Sequence, residues 1–590
     1  MPLPRLIASC LLLVTTVSAQ KGFTCPILGK QWPAPTNIST EPLLLAAAKN
    51  LTSQINQLVH GDGPNWNTTS FSITVFSASE DSFAYEYHRT DPTVLHSKAG
   101  VRNVTADSVY RIGSVSKLMS VYLFLIQLGG KHLHTPVSHF IPQLLAHANS
   151  SLGDLDVIHP NWRDITVTDL ASYLAGIPND FAYDFSIPNP AADTASLLNA
   201  TLGVFPPIPK FDVPSCGFKE GNDFVACSSE EFIQNARQLQ PIFANGYTPI
   251  YSNIGYALLG VFLEKAANKT MSQIFDDQLV RRLGLSNAKF DAPFESCKGV
   301  IPVNESVTGW VPQYGAYGAA ASNFASSEDM AKIGRSMLRN SLISPSLTRR
   351  WLKPTSFLED FSQGVGLAWE IFRVKVDDHS VAIFSKGGDV GVYHTSFAII
   401  PDYNVGISVM TAIDPATDGI RVKVDGAGIV ASVILPAVAQ IAKQQATRNF
   451  AARYVTHDGT NSSLTLTTDD LPGLKLQSWI VNGTNLFDLF FTKDGKTTSD
   501  VRLLPNELYP TSSGKVGFTG TELPFIEPAA NIVANGSFTD LYSLCREYEA
   551  QSNYMYGGVD VTELVFNVNA QGKALSFRHL ALRKTFYRAT

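Results

Sequence analysis

The chain has 590 residues, 45% of them hydrophobic and 16% charged, with a net charge of −6 and no basic block. That is enough apolar material for more than one core, and it argues against nucleic acid as a partner. None of the six cysteines has C-x-x-C metal spacing, and His132, His134 and His139 have no carboxylate or cysteine at ligand spacing beside them, so no metal or cofactor is expected.

In chain order, residues 1–19, "MPLPRLIASCLLLVTTVSA", carry an arginine, an apolar run and a small-x-small end. They read as a secretory signal cleaved before Gln20, too short to span a membrane. Residues 20–70 form an N-terminal extension. Sequons at Asn37, Asn50, Asn67, Asn103, Asn149, Asn199, Asn268, Asn304, Asn461, Asn482 and Asn535 support an extracellular glycoprotein and place those positions on the surface. The last residues hold no hydrophobic tail of the kind a lipid anchor requires. Without the signal five cysteines remain (Cys25, Cys216, Cys227, Cys297 and Cys545), an odd number that leaves at least one free or paired outside the chain. Cys216 and Cys227 flank a turn-rich stretch, and an oxidising compartment favours closing that loop with a disulfide.

Residues 71–90 alternate around an acidic turn, the pattern of a β-hairpin. Helical patterning dominates from about 114 to 345. Within it, 184–246 is proline-rich and weakly periodic, an insertion expected to act as a lid or pocket wall. Three strand patterns return between 380 and 412, and the apolar stretch 428–443 reads as a short buried helix. The expectation is one α/β (α+β) domain over 71–445, an antiparallel sheet flanked by helices whose edge strands come from opposite chain ends. From 450 to 590 short alternating runs separated by Gly, Asp, Asn and Pro predict a C-terminal all-β barrel or sandwich.

Chemistry concentrates in three motifs. In "YRIGSVSK" Ser114 and Lys117 stand one helical turn apart, immediately before an apolar run. That spacing puts them on one face, at a helix start with free N–H groups and the positive dipole end. There a serine can be a nucleophile, and a buried lysine of lowered pKa its base. Elsewhere such a pair is usually a Ser cap and a surface lysine; a second S-x-x-K at Ser512 and Lys515 lies among turn residues with no helix after it. Tyr251-Ser252-Asn253 and Lys386-Gly387-Gly388 follow in order, and Tyr-x-Asn occurs once.

These motifs and their surroundings ("RIGSVSK", "YSNIGYALLG", "ITVTDLASYLAGIP", "GAAASNFASSEDMAKIGRSML") resemble the serine β-lactamase/penicillin-binding-protein superfamily, nearest its class C and carboxylesterase branch, over about 70–445. The tail is similar to that of fungal secreted β-lactamase-like proteins. The resemblance implies Ser114 as acylated nucleophile, Lys117 as base and Tyr251 as proton shuttle. It implies Asn253 as a substrate-orienting group, with Lys386, Gly387, Gly388 and Asp389 along the substrate. The backbone N–H groups of Ser114 and Asp389 would form an oxyanion hole, each donor worth about 3 kcal/mol. Gly387 lacks the hydroxyl usual in the third motif, and Tyr173 and Ala175 replace the family's His and Ser. These departures point away from antibiotic hydrolysis. The expected activity is a secreted serine hydrolase acting on a small-molecule ester, lactone or amide, with no membrane partner. An acyltransferase or cyclase would share the acyl-enzyme, and a non-catalytic binding glycoprotein is the remaining alternative. The G-x-S-x-G of α/β-hydrolases does not occur in the chain.

Overall fold

The computed structural model describes residues 27–61, 65–146, 159–181, 214–218, 224–377, 379–417, 420–490, 492–493, 496–497, 499–510, 513–524 and 554–589. They divide into two compact units, 34–442 and 443–590, the second taking in the described residues before Ala34.

In the first unit the principal elements are helix α1 (Pro42–His60), strands β1 (Thr69–Ser77) and β2 (Phe83–Arg89), and helices α2 (Val115–Leu128), α3 (Ser229–Arg237), α4 (Asn253–Ala267) and α5 (Ser327–Leu338). Strands β3 (Ser356–Phe357), β4 (Gln363–Val365), β5 (Glu370–Val376), β6 (His379–Val390), β7 (Tyr393–Ile400) and β8 (Val405–Ile413) follow, and then helix α6 (Ile420–Phe450). All eight strands form one antiparallel sheet in the order β2-β1-β8-β7-β6-β5-β4-β3. The early hairpin therefore joins the last strand, and the edges are β2 and β3. Every residue of β1 and β8 is buried, because helices cover both faces of the sheet. On one face, Phe76 and Phe397 stack and close the space beside Gly334 of α5. On the other, Ile73, Val409 and Trp66 close the space beside Gly426 of α6.

Three features depart from the sequence reading. Strands β3 to β5 were not anticipated; they are short or, in β5, carry charges at Arg373 and Lys375 that break up the apolar pattern. The apolar stretch 428–443 is only part of α6, which runs 31 residues and is long and apolar enough to cross a membrane. Its length corrects the short helix expected. The burial expected holds for one side, where Val422, Val430, Ile434, Val438 and Ile441 are sealed in the fold. Within the weakly periodic insertion, residues 184–213 and 219–223 lie outside the described ones. The rest is ordered around a Cys216–Cys227 disulfide. Helix α3 starts at a capping box in which Ser228 and Glu231 satisfy each other's backbone N–H, and it buries Phe232 and Ile233.

Second-unit strands β9 (Ala452–Val455), β10 (Ser463–Thr467), β11 (Leu474–Val481), β12 (Ser499–Pro505), β13 (Lys515–Pro524), β14 (Leu564–Val568), β15 (Ala574–His579) and β16 (Lys584–Arg588) run in the order β10-β9-β16-β15-β14-β13-β12-β11. Pairing of β10 with β11 closes the ring into an eight-stranded barrel, which leaves no free edge in it. Phe450, Tyr454, Phe518, Phe566 and Phe577 pack edge to face inside this unit, and Phe586 stacks on Phe577.

Candidate active site

Ser114 stands at the N-cap of α2, after Gly113, whose φ of 51° turns the chain into the helix. Its side chain makes no capping bond. The hydroxyl instead accepts a hydrogen bond from Lys117 Nζ at 2.9 Å. The same ammonium nitrogen reaches Asn253 Oδ1 at 2.6 Å and the carbonyl of Ala320 at 3.0 Å. Lys117 is fully buried, and among the described residues no carboxylate lies within ion-pair distance of it. Burial pushes its pKa down, the nearby positive charge of Lys386 pushes the same way, and Tyr251 offsets part of the shift.

Tyr251 and Asn253 are brought in by the start of α4, which Ser252 caps by accepting from Gly255 N–H. The Tyr251 ring lies between two cations, its centroid 4.7 Å from Lys117 Nζ and 5.1 Å from Lys386 Nζ. Burial alone would raise its phenol; the charges of Lys117 and Lys386 and hydrogen bonds with Lys117 and Ser114 outweigh it and pull the pKa down. Tyr173 stacks on this ring at 5.2 Å, with φ at 67° and its carbonyl holding Ile250 N–H. The residue that departs from the usual histidine is thus a support for Tyr251.

The third wall is β6. Gly388 passes so close to the helix start that a Cβ there would lie 2.1 Å from Ile112 O and 2.8 Å from Ser114 N. One on Gly113 would lie 2.5 Å from Asp389 N. Only glycines allow Ser114 and Asp389 to approach in this way. Lys386 is nearly sealed and pairs with Glu370 of β5, which also accepts the Gly387 N–H at 3.0 Å. Burial would lower Lys386, but the charge of Glu370 and then that of Tyr251 outweigh it and raise the pKa.

Ser114, Lys117, Tyr251, Asn253, Lys386, Gly387, Gly388 and Asp389 therefore converge, although the three motifs are far apart in the chain. Ser512 lies outside the described residues, and Lys515 opens strand β13, with no helix. His132 donates to or accepts from Thr135 and packs edge-on against Phe140. Of the eight described sequon asparagines seven are exposed; Asn304 is half-buried and its side chain accepts from Ser306 N–H. Cys297 is free and exposed, while Cys25 and Cys545 lie outside the described residues.

Sequence reasoning missed four polar neighbours. Asp180 accepts from Asn253 Nδ2 at 2.9 Å. Glu370 holds Lys386. Lys423 of α6 donates to Asp389 Oδ1 at 2.6 Å, and His394 Nδ1 meets the same oxygen at 2.7 Å. Burial would raise Asp389; His394 and the Lys423 ammonium outweigh it and hold the carboxyl below its usual range. Reading α6 from its true start would have placed Lys423 on the helix that packs over β1 and β8, within reach of β6.

The family model described as Beta-lactamase matches residues 87–424, more than half the chain, and one described as Beta-lactamase-like-like, C-terminal domain, matches 442–590. A "Beta-lactamase-like protein" of Arthroderma benhamiae is 27% identical over 594 residues, covering 94% of each chain. A "Probable hydrolase M10" of a Phoma species is 24% identical over 439 residues, 72% of this chain and 68% of that one. Among solved structures, a class C β-lactamase from Rhodobacter sphaeroides superposes with a TM-score of 0.44 at 15% identity, over 67% of this chain and all of that one. A penicillin-binding protein homologue from Pyrococcus abyssi gives 0.45 at 15%, over 92% and 99%. The chain belongs to the β-lactamase family.

Proposed function

We propose that this β-lactamase-family chain is a secreted serine hydrolase that cleaves a small-molecule ester, lactone or amide through an acyl-enzyme on Ser114. One observation carries the reading: a fully buried lysine, with no carboxylate partner among the described residues, hydrogen-bonds a serine at a helix N-cap whose side chain does no capping. Burial favours the neutral amine, which accepts the Ser114 proton as Oγ attacks the substrate carbonyl. The N–H groups of Ser114 and Asp389 receive the developing oxyanion. Tyr251, its phenol acidified by two cations, passes the proton to the leaving group and then activates the deacylating water. Asn253 fixes the lysine through Oδ1 and orients the substrate. The names of two fungal relatives, each a probable hydrolase, agree with this class of reaction. Export rests on the leader, the sequons and the Cys216–Cys227 bridge. The insertion 184–246 is assigned to substrate selection.

Intact-mass analysis after treatment with an alkyl fluorophosphonate tests the reading. One adduct is expected on the wild-type protein and none on Ser114→Ala. An adduct that survives the substitution overturns the nucleophile.

A further inference from the structure

We infer that the site selects substrates carrying no negative charge along β6, because carboxylates of the chain itself already occupy Lys386 and Lys423 beside that strand. The inference rests on the Ser114 reading and names the substrate class for it.

Among the described residues, three lysines contribute to this site: Lys117, Lys386 and Lys423. Lys117 is spent on Ser114, Asn253 and Ala320, and its burial disfavours the charge. Lys386 pairs with Glu370, and Lys423 with Asp389. In both of those pairs the carboxylate is the member that meets solvent. The Lys386 side chain is 2% exposed against 35% for Glu370, and Lys423 is 9% exposed against 48% for Asp389. The two pairs meet where the strand is barest: the space beside Gly387 is bounded by Glu370 Oε2 and Lys423 Nζ. Asp180 adds a third carboxylate behind Asn253.

A group lying along Lys386–Asp389 therefore meets carboxylates that are more exposed than the lysines they pair with. A substrate carboxylate would have to displace Glu370 or Asp389 from a short, partly buried ion pair and leave a second carboxylate beside it stripped of its ammonium partner, which is unfavourable. A neutral chain incurs no such loss, and a cationic one gains two charge-assisted acceptors. Gly387 completes the picture, since it supplies no hydroxyl to hold an anion. The Lys386–Glu370 and Lys423–Asp389 pairs thus act together as a charge filter.

The test uses the full-length protein and three fluorophosphonates with chains of equal length ending in a methyl, a carboxylate or a trimethylammonium group. Labelling rates of Ser114, read by mass and divided by each probe's rate with hydroxide, are compared. The neutral and cationic probes should outrun the anionic one by about tenfold, and added salt should narrow the gap. Glu370→Gln and Asp389→Asn should each restore about threefold to tenfold of the anionic rate. Equal normalised rates for the three probes, or a preference that neither salt nor either substitution moves, would overturn the filter while leaving the nucleophile in place. Should the variants fail to fold, the salt dependence of the wild-type ratio decides. No labelling of Ser114 by any probe would overturn the hydrolase reading and the filter with it.

Discussion

Lys117 in the first unit and Arg502 in the barrel are both sealed from solvent, at 0% and 1% exposure. Arg502 is met by Asp469, which takes two parallel hydrogen bonds at 2.6 and 2.8 Å, and by Asp500 beside it. Burial would lower its pKa, but those bonds and charges outweigh it and raise it. Among the described residues the acceptors of Lys117 are all neutral, so burial wins and its pKa falls. The difference teaches that what a buried cation does is set by the company it keeps: two carboxylates fix a charge as structure, whereas a hydroxyl, an amide and a carbonyl leave an amine free to give up its proton.

Substitutions at the two positions should therefore fail in opposite ways. Lys117→Met should cost about 10³-fold in Ser114 phosphonylation, the scale of a lost general base, with thermal stability held or raised. Arg502→Met should destabilise the barrel by about 3–5 kcal/mol in denaturant titration, since it leaves buried Asp500 without its hydrogen-bonded cation and with only Lys475, 3.7 Å away, to face it. Ser114 labelling under native conditions should remain. Activity loss at Arg502 without loss of stability, or the reverse at Lys117, would break the comparison.

Two smaller effects sharpen it. Replacing Cys216 and Cys227 by serine should lower stability by about 2–3 kcal/mol, the loop-entropy contribution of a short bridge. It should also change kcat/KM among acyl chains more than reaction with a small activated ester; a uniform response would remove the insertion's role in selection. Lys386→Met addresses pH. Lys386 favours the neutral amine of Lys117 and the phenolate of Tyr251, and both are deprotonated forms. Removing its charge raises both pKa values, so the reactive state forms only at higher pH and the acid limb of kcat/KM moves up. A limb that stays in place or moves down would exclude Lys386 from tuning the pair.

Much of the site was legible because its signals are local. The S-x-x-K spacing needs only one helical turn, and the Tyr-x-Asn motif opens a helix with a serine cap. The Gly-Gly pair marks a strand pressed against another backbone. Glu370, Asp180 and Lys423 were not legible, because each acts across space on a motif residue and sits in a segment without a pattern of its own. Glu370 opens a strand whose exposed charges hide its period. Lys423 precedes the apolar stretch by which α6 was recognised, and Asp180 follows a short turn after Pro178. The all-β nature of the tail was readable from its alternation. Its closure depends on β10 meeting β11 and on β9 meeting β16 at the chain's far end, pairings that no local pattern specifies. Tyr173 shows a departure from a family pattern that only packing explains, since its ring supports Tyr251.

The central claim is that Lys117 works as a neutral base. The rate of Ser114 phosphonylation, followed by intact mass across the pH range in the wild-type protein and in Lys117→Arg, tests it most directly. Guanidinium keeps its proton throughout that range. The account predicts an acid limb below the usual lysine pKa in the wild type, and Lys117→Arg nearly as slow as Lys117→Met at every pH. Near-wild-type labelling by the arginine variant, or a wild-type limb at the pKa of a free lysine, would contradict it.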